Sequence, residues 1–383
     1  MSTPSVDLLV VGAGVIGLAI GYEAARAGQR VLVVERDRPG SGASGTAAGM
    51  LAPASEAGRT EPSLVELALD SCRRYPAWVR AIEADSGLSC HYRTEGTLLV
   101  ALNRDHDEAL RREIDHQRGL GLHVEPLTAD ELLDREPGLS PRVTAGVFVE
   151  GDLQVDPRAL LAALEAAVRR RGGSVEHGAA VGSIWLEGDR VAGVRLAAGD
   201  RSIRADAVVI AAGAWSNDLA APIGERLPLR PVKGQLIRLR GEPCIRHVVR
   251  TPEVYLVPRD DGELLVGATM EEQGFDDRVT AGATMDLLRE AWRVVPGIHD
   301  LAVAELCVGF RPALRDGLPA IGALTPHGLF LATGHYRHGI MLAPATAALL
   351  VEAIRAGSPP TALAPFAPDR LRSLTALPNE GQP

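Results

Sequence analysis

The sequence is poor in the residues that would commit it to disulfide, metal or membrane chemistry. Its four cysteines, Cys72, Cys90, Cys244 and Cys307, form no CxxC pair and no metal-ligand spacing, so they read as reduced thiols in a cytoplasmic protein. The ten histidines are equally dispersed, and no metal centre is expected. No segment approaches the unbroken apolar length that spans a bilayer, and the opening MSTPSVD lacks the basic region and apolar core of a secretory signal. Positive charge is short as well: a formal net charge of −9 disfavours nucleic acid or an anionic membrane as partner. The one basic run, Arg169 to Arg171, closes a predicted helix that Asp156 caps, Pro157 opens and Gly172 ends. Three cations there complement the helix dipole and do not mark a binding surface.

Glycine, by contrast, is abundant, and it is arranged. The stretch from Val6 to Glu35, VDLLVVGAGVIGLAIGYEAARAGQRVLVVE, joins a strand, a glycine turn, a helix and a second strand ending in an acid. Gly12 allows the tight turn, Gly14 lets backbone N–H groups approach a pyrophosphate, and Gly17 lets helix and strand pack closely. The helix N-terminus adds partial positive charge toward the phosphates. Glu35, 18 residues past Gly17, offers a carboxylate to ribose hydroxyls and would repel a 2′-phosphate, so FAD or NAD fits better than NADP.

Two further segments extend this unit. The helix at 157–171 leads into strands near 174–186 and 190–196, joined by a turn at 187–189, and then the apolar run Ala207 to Gly213. Small residues at the end of that run permit close approach of a ligand. The strand GLFLATG then meets a glycine turn and an apolar helix that begins near Gly339 and stops at Gly357. Between these pieces, EGTLLVAL, GQLIRLR, VYLVPR and ELLVGATM alternate as antiparallel strands do. The expected organisation is therefore a discontinuous α/β Rossmann-like domain (1–86, 143–219 and 318–370) through which an α+β antiparallel-sheet domain (87–142 and 220–317) is threaded. A frayed tail is expected from about Pro368, with 371–383 flexible.

SGTAAGML at 44–51, RPVKGQ at 230–235, VYLVPR with ELLVGATM at 254–270, GFRPALRDGLPAIG at 309–322 and GHYRHGIMLAPATA at 334–347 follow the first motif in one order. Together they resemble the D-amino-acid oxidase superfamily of flavoenzymes, and within it most closely the glycine oxidases of thiamin biosynthesis. That resemblance implies a glutathione-reductase-2 type fold with an FAD-binding domain and a substrate domain. It also implies noncovalent FAD, a small amino acid and O2 as substrates, a homo-oligomer, and a functional link to a thiazole synthase.

The resemblance assigns residues as well. Gly12, Gly14, Val15, Ile16, Gly17, Glu35 and Arg36 are expected at the FAD pyrophosphate and ribose. Ala43, Ser44, Ala48, Gly49 and Met50 are expected along the cofactor, with Ala180 near the adenine and Gly213 close by. His335, Tyr336, Arg337, His338, Gly339, Ile340 and Met341 are expected against the isoalloxazine, where a helix N-terminus stabilises negative charge on the reduced ring. Arg311 follows Val308 to Phe310, an expected apolar strand end, and holds the amino-acid carboxylate, since its planar fork suits bidentate capture; a plain ion pair with Asp316 is the alternative. Tyr255 and Arg337 assist, and Met50 and Met270 wall the pocket. No side-chain acid or base is required.

The expected chemistry is hydride transfer from the substrate Cα to flavin N5, imine hydrolysis to a 2-oxo acid and ammonia, and reoxidation by O2 to hydrogen peroxide. Competing readings are an oxidase of sarcosine or other secondary amines, and an FAD-dependent D-amino-acid dehydrogenase. Cys307 lies about one residue from the position at which some relatives attach flavin. Glu253 stands where some glycine oxidases carry a histidine, which leaves substrate preference open.

Overall fold

The computed structural model describes residues 5–53, 61–119 and 123–375. The chain begins with β1 (Ser5–Val11), α1 (Val15–Arg26) and β2 (Val31–Val34), the βαβ unit that the glycine spacing predicts. After β3 (Met50–Leu51) come α2 (Pro62–Ser86), β4 (Thr97–Ala101), α3 (Arg104–Gly119), β5 (Glu125–Thr128), α4 (Ala129–Arg135), β6 (Ala145–Val149) and β7 (Leu153–Gln154). The middle runs through α5 (Pro157–Arg170), β8 (Ser174–Glu176), β9 (Val181–Glu187), β10 (Arg190–Leu196), β11 (Ser202–Ile210) and α6 (Ser216–Ala220). Then follow β12 (Leu229–Arg240), β13 (Val248–Arg250), β14 (Tyr255–Pro258), β15 (Glu263–Gly267), α7 (Ala281–Val294) and β16 (Ala302–Leu314). The strands β17 (Ala320–Ala323) and β18 (Leu329–Thr333) and the helices α8 (Gly339–Ala356) and α9 (Leu371–Thr375) complete the described elements.

One eight-stranded sheet has the order β17-β18-β11-β1-β2-β8, with β9 and β10 attached to β11 as an antiparallel ribbon. The central strand β1 runs parallel to β2 and β11. Such a strand is covered on both faces, which is why Leu8 to Val11 is an uninterrupted apolar run. On one face, α1, α2, α5 and α8 share a core that contains Leu18, Tyr75, Leu164 and Leu350. On the other, Leu9, Val208 and Ile210 meet Leu219 of α6 and Ile184 and Val194 of the ribbon. The cap on α5 is as its sequence predicts: the Asp156 carboxylate accepts from Arg158 N (2.7 Å) and Ala159 N (3.2 Å).

A second eight-stranded sheet has the order β16-β12-β15-β14-β13-β4-β6-β5. Its pairing is antiparallel, as alternation suggests, except where β13 runs parallel to β4. Apolar residues of α4 and α7, among them Leu132, Leu287 and Ala291, bury one face against Leu98, Ile237, Leu256 and Val266. The opposite face looks toward the first sheet, and α3 covers its far end through Leu110 and Ile114.

Three expectations need correction. Strand β6 pairs with β4 and β5, so 145–149 belongs to the second sheet and not to the dinucleotide-binding segment drawn from 143. Strand partners are set by nonlocal pairing, which composition does not reveal. The chain after Pro368 is packed to Leu371 at least: Leu371 is 2% exposed, and Arg370 binds Asp316 (2.8 Å) and the carbonyl of Leu318 (2.9 Å). The rest of the expected tail, 376–383, lies outside the described residues. Finally, α8 does have the length and apolarity of a membrane span, yet 67% of that stretch is buried inside the protein. It is the helix that α1 and α2 pack around.

Candidate active-site cleft

The carboxyl ends of the parallel strands open into a cleft of about 460 Å³ bounded on its far side by the second sheet, within the range of ligand and cofactor sites. Its floor on the first sheet is main chain. Gly12 has φ +108, and a Cβ there would come within 2.6 Å of the Ala211 carbonyl oxygen, so only glycine makes the turn. A Cβ on Gly17 would overlap the Gly12 carbonyl; Gly17 therefore sets helix-to-strand packing and does not itself line the cleft. Gly14, Val15 and Ile16 do line it. Ser44 Oγ accepts from Val15 N (3.0 Å), tying the 43–50 segment to the first turn of α1.

Glu35 closes β2 with one oxygen accepting from Ala13 N (2.8 Å) and the other from Asp37 N (3.1 Å). Two backbone donors hold this carboxylate at the mouth of the turn, as ribose recognition requires. Arg36 stacks over the Trp215 ring, 4.0 Å from its centroid, and Trp215 in turn stacks on Phe275 at 5.1 Å. Ala43, Ala48, Gly49, Ala180 and Gly213 complete this half of the cleft. The Ala48 carbonyl accepts from Arg259, which also donates to Gln154 Oε1 (2.8 Å). Arg259 is 4% exposed, and burial pulls its guanidinium down to about 10. A dinucleotide fits these residues: the turn has no side chain to obstruct a pyrophosphate, and α1 points its N-terminus at it.

At the other end, α8 directs its N-terminus into the cleft, where Gly339 and Ile340 line the wall and no side chain caps the helix. His335, Tyr336 and Arg337 also line the cleft, whereas His338 and Met341 are buried outside it. Burial, reinforced by His338, holds His335 down at about 3, and its Nε2 lies 3.1 Å from Thr346 Oγ1. This imidazole is neutral near pH 7, so it neither charges the cleft nor serves as a base. Tyr336 donates to Met270 Sδ (2.7 Å). Met270 is 65% exposed and forms a rim, while Met50 is half-buried.

The second sheet supplies polar side chains. Register sets Arg250 opposite Tyr255, Tyr255 opposite Gly267, and Gly267 opposite Leu236. Directly paired residues share a face, so this row and Arg311, opposite Val232, all look into the cleft. A Cβ on Gly267 would lie 2.5 Å from the Tyr255 hydroxyl, and one on Gly234 would lie 2.5 Å from Arg311 Nη1. Tyr255 and Arg311 therefore lie down over glycines of two neighbouring strands. Arg311 sits in the interior of β16, not at a strand end as expected. Its Nη1 donates to the Thr269 carbonyl (3.0 Å), and Asp316 pairs with Arg370, which removes the ion-pair alternative.

Sequence reasoning missed Trp215, Arg250 and Thr269, all of which line the cleft. No local motif surrounds Arg250 or Trp215; strand register and sheet-to-sheet contact bring them in. Lys233, the single lysine of the chain, gives a signal that was overlooked. It is fully buried and donates to the Arg278 carbonyl (2.7 Å) and Asp276 (3.4 Å), pinning the loop after Met270. Glu253, whose role was open, accepts from Thr251 Oγ1 (3.1 Å) and lies 3.0 Å from His106 Nε2. Cys307 is buried and does not line the cleft.

A family model described as FAD dependent oxidoreductase (DAO) matches residues 7–353. The glycine oxidase of Geobacillus kaustophilus is 37% identical over 94% of this chain and 96% of its own length. The bifunctional protein ThiO/ThiG of Trichormus variabilis is 35% identical over 91% of this chain, which spans 52% of that longer protein. Among solved structures, glycine oxidase from Geobacillus kaustophilus superposes with a TM-score of 0.88 at 36% identity, covering 95% of this chain and 98% of that one.

Proposed function

The chain belongs to the FAD-dependent oxidoreductase family that matches residues 7–353, and from that premise we propose that it oxidises glycine and other small amino acids, among them sarcosine and D-alanine, to the 2-oxo acid, hydrogen peroxide and ammonia, or methylamine in the case of sarcosine. The observation that carries this reading is the cleft-facing pair Arg311 and Tyr255, which lies over Gly234 and Gly267 and provides a guanidinium fork and a phenol beside one another. A fork of this kind suits a carboxylate, and a simple amine has none.

Gly12, Gly14, Val15 and Glu35 would hold the pyrophosphate and ribose of FAD, with Tyr336, Arg337 and the first turn of α8 against its ring. Bound there, FAD would supply two-electron redox chemistry, accepting a hydride equivalent from the substrate Cα and returning the electrons to O2. The protein contributes orientation: Arg311 and Tyr255 fix the carboxylate so that Cα faces the cofactor side of the cleft. Met50 and Met270 narrow the space to a small amine. The amine proton leaves to solvent: of the cleft-lining groups, His335 is neutral and turned to Thr346, and Glu253 is engaged by Thr251 and His106.

The reading extends to noncovalent FAD, supported by the burial of Cys307, which does not line the cleft, and to a cytoplasmic enzyme. It extends also to a homo-oligomer, and to delivery of the product imine to a thiazole synthase, supported by the name of the ThiO/ThiG relative. Anaerobic flavin bleaching by a panel of glycine, sarcosine, D-alanine, D-proline and L-amino acids tests it. Glycine should bleach the flavin, and oxygen should restore it with one peroxide per turnover. Bleaching by secondary amines alone, or reoxidation by quinone dyes but not by oxygen, would replace it with one of the competing readings.

A further inference from the structure

The segment from Ala43 to Met50 runs along the cofactor half of the cleft, and two arginines hold it from behind. Arg158 of α5 donates from Nε to the Gly45 carbonyl (3.0 Å). Arg259, the residue after β14, donates to the Ala48 carbonyl and to Gln154 Oε1 (2.8 Å). Neither arginine lines the cleft. The Ala48–Gly49 peptide is trans, so its N–H points opposite to its C=O. Because Arg259 takes the carbonyl from the buried side, the Gly49 N–H is aimed at the cleft, and it donates to no acceptor among the described residues. Val155 N donates to the Gly49 carbonyl (3.0 Å), which fixes the following peptide as well.

The reacting ring of the cofactor belongs at this stretch. Ala48 and Met50 pack in one apolar cluster with Tyr255, and a ring that takes a hydride from a substrate anchored there must lie beside it. Arg259 is also a poorly neutralised charge. Asp156 Oδ2 lies 4.0 Å from its Nε, too far for a hydrogen bond, and the other Asp156 oxygen caps α5. At 4% exposure the guanidinium is little screened by solvent.

We propose that Arg259 is a positioning residue for the flavin: it fixes the Ala48–Gly49 peptide so that the Gly49 N–H donates to the edge of the isoalloxazine, and its buried positive charge favours the reduced, more negative ring. This rests on the placement of the ring beside the Tyr255 anchor, not on which amino acid is oxidised.

The test is the reduction potential of the bound flavin, measured on holoenzyme by chemical reduction against a reference dye with no amino acid present. At a fixed dye potential, Arg259→Gln should lower the ratio of reduced to oxidised flavin about tenfold or more, equivalent to about 30 mV for a two-electron couple. Arg259→Lys should lower it about threefold, since the charge remains while one contact of the fork is lost. An unchanged ratio in the glutamine variant with FAD bound overturns the role. So does a lysine variant that falls as far as the glutamine one, which would assign the effect to lost packing. Should the glutamine variant fail to hold FAD, the lysine variant decides alone: a threefold fall supports the role and an unchanged ratio overturns it. No substrate enters the measurement, so failure of glycine to bleach the flavin leaves this result standing, and an unchanged potential leaves the amino-acid reading standing.

Discussion

The two sheets build their halves of the cleft from different materials. On the parallel sheet the working surface is main chain: a glycine turn, two helix N-termini and small residues, with a carboxylate held by backbone N–H groups. On the second sheet it is side chain: Arg311 and Tyr255 lie over glycines of the neighbouring strands, and Arg250 is paired beside Tyr255. A cofactor shared by many enzymes is met by backbone geometry that tolerates little variation, whereas a substrate is met by side chains whose replacement changes specificity without disturbing the fold.

The sharpest way to break this contrast is to add the same kind of bulk to each half. Gly17→Val drives a side chain into the Gly12 carbonyl, a collision of backbone with no room to relax. We expect a loss above about 4 kcal/mol, seen as flavin-free or insoluble protein; a normal ratio of flavin to protein absorbance would mean that the turn is not rigid. Next in size, Arg311→Ala should cost roughly 2–5 kcal/mol in kcat/KM for glycine while FAD content stays near normal. Arg311→Lys should recover little. Wild-type kinetics from the alanine variant would move the carboxylate site elsewhere.

A pH measurement probes the seam between the halves. Burial lowers His335 from 6.5 to about 3, so between those values the unfolded chain binds a proton that the folded chain refuses. Stability is therefore lost as pH falls below about 6.5, by about 2 kcal/mol at pH 5. His335→Gln should flatten the change in Tm between pH 7.5 and pH 5; an unchanged slope would assign the acid sensitivity to other groups. The smallest effect on stability is expected from Gly234→Ala. Its methyl meets the tip of a flexible arginine, so Tm should shift by the equivalent of about 1 kcal/mol or less, with KM for glycine rising. Loss of FAD from this variant would show that the substrate face also supports the cofactor.

The same contrast explains what was legible. The βαβ unit, the Asp156 cap, the meander of β9 and β10 and the stop at Gly357 were all readable, because each depends on residues within a few turns of one another. The motif order also pointed to Arg311, Tyr255 and Tyr336. The 145–149 strand was assigned to the wrong sheet, Arg311 was taken for a strand end, and Arg250 and Trp215 went unnoticed. In each case the missing information was strand pairing or sheet-to-sheet contact, which the adjacent residues do not encode.

The sequence by itself determined that a dinucleotide cradle exists and where it lies, since glycine spacing and one acid at the end of a strand suffice when the ligand binds main chain. Only the tertiary structure decided which side chains share the substrate face. In a sheet that choice follows from register, and a shift of one residue would turn Arg250, Tyr255 and Arg311 to the opposite side. It also decided that the apolar helix Gly339–Ala356 is buried among α1 and α2, because the hydrophobic effect asks only that apolar surface leave water and does not say what will cover it.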